Sequence, residues 1–533
     1  MYKSNTLLPS DNMHLAETAI NSNTGLPYAA VLINLLHNLR FVYFTFLSKM
    51  KLAALFIISI VSAGTSAGYI VSDLTRRVKS QSRASLRRTQ RLARRQSASV
   101  ETFLPQDDHS QYLINFTVGT PPQSVAAILD TGSTDVFIPS TTHPKCHAGE
   151  CVAGAFDAAT STSLNVLIRD GFKTQFVDPA DTDSGDWIDE TLTIGGSKSV
   201  TKAIMAVSNS GFDAIGVFGL GYAQNEAVPN PNGNGTYPTV LDTMVSQGLL
   251  ARPAYSLHLD SVDQAGGSIC FGCIDESKFT GPLTALPIQP GTSARVPEFY
   301  VTLSSIVLTD AAGKETALTP DGFAPSALLD SGTSTTGLPN SVFEPIAKGL
   351  GAVGVDVSDT QDGSQFIYTV PCELKATNAT LTYTFGGTDA SASRVVVPLS
   401  QVIGNTGQEF NTSEFASPEG GCDMGFEGPI AGVAILGDTF MRSAYMVFDL
   451  ANNVVAMAQA KVGGIGDNTT HPSEACIKEI PAGTGLLGVN VTASAPGTQI
   501  PAELADAKPN VTAATQGPDG KIQPGTPTFN LLC

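Results

Sequence analysis

Two short stretches lying 200 residues apart carry nearly the same pattern, and each puts one aspartate where an apolar run gives way to a turn. The first reads Ala127-Ile128-Leu129-Asp130-Thr131-Gly132-Ser133-Thr134, with Pro139 nine residues past the Asp. The second reads Ala327-Leu328-Leu329-Asp330-Ser331-Gly332-Thr333-Ser334, with Pro339 at the same distance. Three apolar residues suit a buried strand, and the Gly permits a tight turn that leaves the Asp at its tip. One such unit alone reads as a hairpin or bulge turn. Its duplication in matched context implies that two halves of one chain each lend a carboxylate to a shared site.

The chemistry of such a pair is specific. Two carboxyl groups about 3 Å apart cannot both ionise, so they share one proton and titrate as a unit. The charged member can act as general base on a water while the protonated member polarises a carbonyl or donates to a leaving amine. No metal and no covalent intermediate is needed, and acidic pH favours the singly protonated state. The hydroxyls of Thr131, Ser133, Ser331 and Thr333 supply donors for carboxylate oxygens that are costly to desolvate unpaired.

Each unit is followed downstream by an apolar-apolar-Gly element, Val217-Phe218-Gly219 and then Ile435-Leu436-Gly437. With the Tyr112–Gln123 stretch (Tyr-Leu-Ile-Asn-Phe-Thr-Val-Gly-Thr-Pro-Pro-Gln) and the run from Ile435 to Asp449, these motifs make the chain resemble the pepsin-type aspartic endopeptidases, and Asp186-Trp187 with Thr193-Ile194-Gly195-Gly196 resemble their fungal secreted branch. The resemblance extends from about Tyr112 to about Gln459. It implies an all-β, bilobal pepsin-like fold of two related β-barrel-type lobes with a substrate cleft between them. It further implies Asp130 and Asp330 as the catalytic dyad, with Thr131 and Ser331 locking the two turns together and Gly132 and Gly332 closing them. Ser133 and Thr333 are then expected to hydrogen-bond the outer carboxylate oxygens. No cofactor is implied; the partners are peptide segments in extended conformation, and the enzyme is expected to be a monomer.

The pattern departs from the family at the hairpin flap over the cleft. There a Tyr commonly bonds a Trp that follows the first turn, whereas here the Trp position is Phe137 and the Tyr position, in Phe172–Trp187, is Phe176. Losing both partners of a hydrogen bond can be nearly neutral, while losing one strands a polar atom. The substitutions therefore read as a repacked flap. Asp178 occupies the flap position that helps to arrange substrate or the surroundings of the dyad.

The 533 residues are 42% hydrophobic and only 15% charged, with 51 Gly and 32 Pro, which suits a large β-rich unit with many turns. Stretches such as Phe299–Leu303, Leu381–Phe385 and Arg394–Leu399 read as strands. The family resemblance suggests disulfides between Cys146 and Cys151 and between Cys372 and Cys422. His143, Cys146, His147 and Cys151 also have the look of a zinc cluster, but a secretory context favours the disulfide. Cys270 and Cys273, three apart in an apparent strand, point to opposite faces and are not expected to pair with each other. Cys476 and Cys533 are left unassigned. Seven Asn-x-Ser/Thr sequons, at Asn115, Asn234, Asn378, Asn411, Asn468, Asn490 and Asn510, suggest a glycoprotein.

Met50-Lys51 followed by the apolar run Leu52–Ala63 has the form of a secretory signal over 50–67, and residues 1–49 read as a gene-model extension. A membrane anchor in 28–47 is the rival reading, but Arg40 interrupts it. Nine Arg/Lys and no acid fall within 76–95. At helical spacing this run could serve as a nucleic-acid patch. Past Arg95, however, there are 17 basic against 45 acidic side chains, so 68–95 reads better as a basic pro-segment covering an acidic catalytic region. That contact is intramolecular and inhibitory, with Arg94-Arg95 as a processing site. Gly64-Thr65-Ser66-Ala67-Gly68 matches a serine-hydrolase pattern but lacks its strand-turn-helix setting.

The organisation expected is thus a first lobe over 96–285, a second over 286–460 and a disordered, glycosylated tail over 461–533. The function expected is a secreted (or vacuolar or wall-associated) acid-active endopeptidase made as a zymogen. The alternative is a catalytically silent relative that binds or inhibits. Silent relatives usually lose an Asp or its Gly; both are intact here.

Overall fold

The computed structural model describes residues 68–77, 111–175, 182–196, 198–211, 214–227, 236–262, 266–289, 298–356, 366–387, 392–404, 421–427, 434–461 and 476–483, with short strands at 491–493, 515–516 and 522–523. The signal segment, the proposed anchor, the flap residues Phe176 and Asp178, and Cys533 lie outside them.

The fold is all-β and pepsin-like. The first half contributes β1 (Ile70–Arg77), β2 (Gln111–Val118), β3 (Gln123–Asp130), β4 (Val136–Pro139), β5 (Asn165–Gln175), β6 (Thr182–Ile194), β7 (Lys198–Gly211), β8 (Gly216–Gly219), β9 (Ala254–Leu259), β10 (Gly266–Phe271), β11 (Cys273–Asp275) and β12 (Phe279–Pro287). The second half contributes β13 (Tyr300–Thr309), β14 (Glu315–Ala317), β15 (Ser326–Leu329), β16 (Thr336–Gly337), β17 (Val353–Asp356), β18 (Phe366–Pro371), β19 (Thr380–Phe385), β20 (Ser393–Pro398), β21 (Gly421–Asp423), β22 (Phe426–Glu427), β23 (Ala434–Leu436), β24 (Ala444–Asp449) and β25 (Val454–Ala460). The strands expected near 299–303, 381–385 and 394–399 are β13, β19 and β20.

The two halves repeat one arrangement. β3 runs antiparallel to β2 and parallel to β8, so that Asp130 lies opposite Gly219. β15 runs antiparallel to β13 and parallel to β23, with Leu329 opposite Leu436. Strands hemmed in on both sides are apolar throughout, which is why Ala127–Leu129 and Ala327–Leu329 are all buried. The downstream glycines answer to close backbone approach. A Cβ on Gly437 would lie 2.1 Å from the Thr335 carbonyl oxygen.

Three segments differ from expectation. The start of the basic run is a strand and not a helix: β1 pairs with β10 on one side and β2 on the other. Ile70, Ser72, Leu74 and Arg76 are buried in strict alternation, a period of two that the charge count had masked. Cys270 and Cys273 do pair, with Cα atoms 5.3 Å apart. Gly272 between them takes a left-handed φ of +73°, which breaks the strand and turns both sulfurs to one side. The tail, expected to lack structure, supplies β26 (Ile477–Glu479), which pairs with β11, and β27 (Val491–Ala493), which runs parallel to β12. Ile480 is buried beside β26, and Arg252, in a buried ion pair of 2.8 Å with Asp449, also donates to the Gly483 carbonyl.

Candidate active site

Strands β3 and β15 deliver their aspartates to one buried point: Asp130 is 3% exposed and Asp330 not at all. What joins the turns is a crossed set of four hydrogen bonds. The Thr131 hydroxyl donates to the Leu329 carbonyl (2.8 Å), and the Ser331 hydroxyl to the Leu129 carbonyl (2.6 Å). Each hydroxyl in turn accepts the other's backbone N–H, Thr131 N–H to Ser331 Oγ at 3.1 Å and Ser331 N–H to Thr131 Oγ1 at 2.9 Å. All of these groups are buried, so each bond also relieves a desolvated donor and acceptor.

Removing the Ser331 hydroxyl tests that lattice. Ser331→Ala strands the Thr131 N–H and the Leu129 carbonyl, at roughly 1–3 kcal/mol for each unsatisfied group. Calorimetry should therefore show a clearly lowered Tm, and Ser331→Thr, which keeps the hydroxyl, should restore it.

The glycines of the two turns bring the carboxyls together. A Cβ on Gly132 would lie 2.6 Å from Asp330 Oδ1, and a Cβ on Gly332 would lie 2.6 Å from Asp130 Oδ1. Each turn thus presents its bare backbone to the other's carboxylate. Gly132 N–H donates to Asp130 Oδ1 and Gly332 N–H to Asp330 Oδ1, both at 2.8 Å. Burial, and then the neighbouring charge of Asp130, push the Asp330 carboxyl well above the usual carboxylate range; the donors Thr333 and Gly332 offset this only in part.

The outer oxygens are treated unequally. Thr333 Oγ1 donates to Asp330 Oδ2 at 2.6 Å, but Ser133 Oγ is buried and makes no hydrogen bond among the described residues. The expected Ser133 contact is therefore corrected. Ser133 ties down its turn through its backbone, its carbonyl accepting the N–H groups of Leu220 and Gly221 (3.0 and 2.8 Å).

Phe137 is buried in β4 and packs on Phe172 of β5, with ring centroids 5.3 Å apart. The β5–β6 pairing forms the hairpin read as the flap, and its last described pair is Gln175 with Thr182. Cys146 is joined to Cys151 and Cys372 to Cys422. The first disulfide occupies the two thiols of the His143-Cys146-Cys151 cluster that could otherwise hold a metal ion.

Three residues near the first turn went unnoticed in the sequence: Asp135, Glu226 and Tyr237. The Tyr237 hydroxyl donates to Asp135 Oδ1, the Ala227 N–H donates to Asp135 Oδ2 at 2.8 Å, and the Tyr237 N–H donates to Glu226 Oε2 at 2.8 Å. Burial pushes Asp135 up to about 6 and Glu226 up to about 9. Asp135 is an acid set just before the apolar run Val136–Ile138, the one signal that could have drawn attention to it.

Two strand-borne carboxyls, buried and crosswise-linked between similar β halves, define the site of a pepsin-like aspartic peptidase. The family model described as eukaryotic aspartyl protease matches residues 111–460. The chain is 32% identical over 435 residues to a probable aspartic-type endopeptidase, opsB, of Aspergillus oryzae, covering 81% of this chain and 82% of that one. It is 31% identical over 365 residues to an acid protease of Saccharomycopsis fibuligera, covering 68% of this chain and 83% of the relative. Secreted aspartic protease 1 of Candida albicans is 31% identical over 364 residues, covering 67% and 82%. The chain belongs to the eukaryotic aspartyl protease family and is an aspartic-type endopeptidase.

Proposed function

We propose that the chain is exported as a zymogen and, in acid, hydrolyses internal peptide bonds through a water held between Asp130 and Asp330. The observation that carries this reading is the mutual approach of each turn's glycine to the other turn's carboxylate. In the singly protonated pair, the ionised carboxyl takes a proton from the water as its oxygen attacks the scissile carbonyl carbon. The protonated carboxyl donates to the carbonyl oxygen, giving a neutral tetrahedral diol. Proton return to the nitrogen then releases the amine, and the second product leaves as a carboxylic acid. The raised Asp330 keeps the shared proton in place through acidic pH.

Support for export comes from the likeness to the secreted aspartic protease of Candida albicans, and from three disulfides among the described residues. Support for a zymogen comes from β1, whose residues sit inside the main sheet with Arg76 buried and donating to the Val262 carbonyl. Thr75 Oγ1 also accepts from Asn115 Nδ2 at 2.9 Å. A segment so embedded cannot leave without breaking two strand pairings. On this reading Phe137, buried in β4 against Phe172 of β5, supports the hairpin.

The test is to collect secreted protein, expose it to acid, and map cleavage of a peptide library with and without a statine-type inhibitor. Acid-dependent, inhibitor-sensitive cleavage together with a new N-terminus is expected. An unprocessed form already fully active at neutral pH would remove the zymogen reading, and absence of any cleavage would leave a binding protein.

A further inference from the structure

A line of aromatic rings joins the first Asp turn to the hairpin. Asp135 closes the turn that Asp130 opens. The strand end at β8 grips both, Gly219 N–H donating to the Asp135 carbonyl (3.1 Å) and Leu220 N–H to the Asp130 carbonyl (2.9 Å). From Asp135 the Tyr237 hydroxyl leads to a ring whose centroid lies 5.3 Å from that of Trp187 in β6. Trp187 is fully buried, meets Phe172 of β5 edge-on at 5.5 Å, and donates its indole N–H to the Gly171 carbonyl at 3.2 Å. Both strands of the hairpin are thus held by one column, and Tyr237 is its polar end.

We propose that Tyr237 is a positioning residue for the peptide hydrolysis set out above, passing the protonation state of the Asp135–Glu226 pair to the β5–β6 hairpin through Trp187. The proposal rests on the endopeptidase reading for its catalytic part, but the coupling itself does not. Among the described residues, the groups that act on the pair are Tyr237, the Ala227 N–H on Asp135, Asp135 on Glu226, and Asp242 in the capping turn of the helix Val240–Ser246. No cation is among these groups, so among the described residues ionisation meets no compensating charge. Glu226 Oε1 is buried and has no hydrogen-bond partner among the described residues, which favours the protonated acid. As pH rises through about 6, Asp135 becomes a buried anion that pulls on the Tyr237 hydroxyl, and through about 9 Glu226 does the same to the Tyr237 N–H. Both acids have folded values raised above their unfolded ones. The stability they contribute is therefore complete below the ordinary carboxylate range and is lost as pH climbs through the raised values.

The chain has a single Trp, so its emission reads this column alone. In the parent protein, emission should change with midpoints near 6 and near 9. Glu226→Gln, which mimics the protonated acid, should abolish the upper change and raise Tm at neutral pH. Tyr237→Phe removes a donor to ionised Asp135, so the lower midpoint should move up by about half a unit or more. In the same variant KM in acid should rise roughly threefold or more, and the upper limb of kcat/KM should shift with the emission. Should Tyr237→Phe fail to fold, Glu226→Gln carries the test through the upper transition. Emission that is flat from pH 4 to 10 in an actively hydrolysing parent overturns the coupling. A lowered Tm in Tyr237→Phe with KM and pH profile unchanged reduces the residue to packing and overturns the positioning role. Titrating emission in a chain that cleaves no peptide overturns the hydrolysis reading and leaves the coupling standing.

Discussion

Asp330→Asn should fold, bind a statine-type inhibitor weakly, and lose peptide hydrolysis by roughly 10²–10⁴-fold or more, the range set by general acid–base catalysis. Asn keeps the shape: its oxygen can still accept from the Gly332 N–H, and its NH2 can donate to a reoriented Thr333 hydroxyl, so the loss isolates the shared proton. A second effect runs the other way. Asp330 is held well above the usual carboxylate range by burial and by the charge of Asp130. A carboxyl raised in the folded state stabilises the fold fully only below its unfolded value near ~4, and that contribution disappears as pH rises through the folded value. The variant removes the penalty, so its Tm should decline less between pH 4 and pH 7 than the parent's. Active-site titration, steady-state kinetics and calorimetry across that range give both answers from one preparation. Hydrolysis that survives at parental rates would end the dyad reading.

The parts of this molecule that were legible in the sequence are those encoded locally and written twice. Apolar-Asp-Thr/Ser-Gly needs only neighbouring residues to announce a strand and a turn, and its repetition carried the long-range information that the two turns meet. The locking of the two turns by Thr131 and Ser331 was implied by the family resemblance that the doubled motif carries. What could not be read depended on backbone conformation or on contacts without a repeat. The Cys270–Cys273 pair depends on a positive φ at Gly272, which reverses a conclusion drawn from strand alternation. β1 was hidden because Arg76 and Arg77 belong to a longer basic run whose spacing resembles a helix, whereas pairing with β2 and β10 decides the matter. Asp135 and Tyr237 stand 102 positions apart with no motif in common. Ser133 and Thr333, equivalent in pattern, differ in use because only the Thr333 hydroxyl reaches its aspartate.

Gly132→Ala and Gly332→Ala should be nearly as damaging as loss of an aspartate, although both carboxyls remain. The new methyl on residue 132 would meet Asp330 at 2.6 Å from Oδ1 and 2.7 Å from Cγ; on residue 332 it would meet Asp130 Oδ1 at 2.6 Å and Asp330 Oδ1 at 3.2 Å. Such contacts are not relieved by a flexible side-chain end, because each carboxyl is fixed by a backbone N–H at 2.8 Å within its own turn. The turns must therefore separate, against the four crossed hydrogen bonds behind them. A displacement of about 1 Å can cost on the order of 100-fold in rate, so kcat should fall at least that far. The distinguishing mark is the pH profile. Carboxyls driven apart repel less and share a proton poorly, so the raised member should fall back toward ordinary acidity and the upper limb of activity should move to lower pH. An Ala variant with depressed kcat but an unmoved upper limb would show that the two carboxyls do not titrate as one, and the mechanism would need another source of acid.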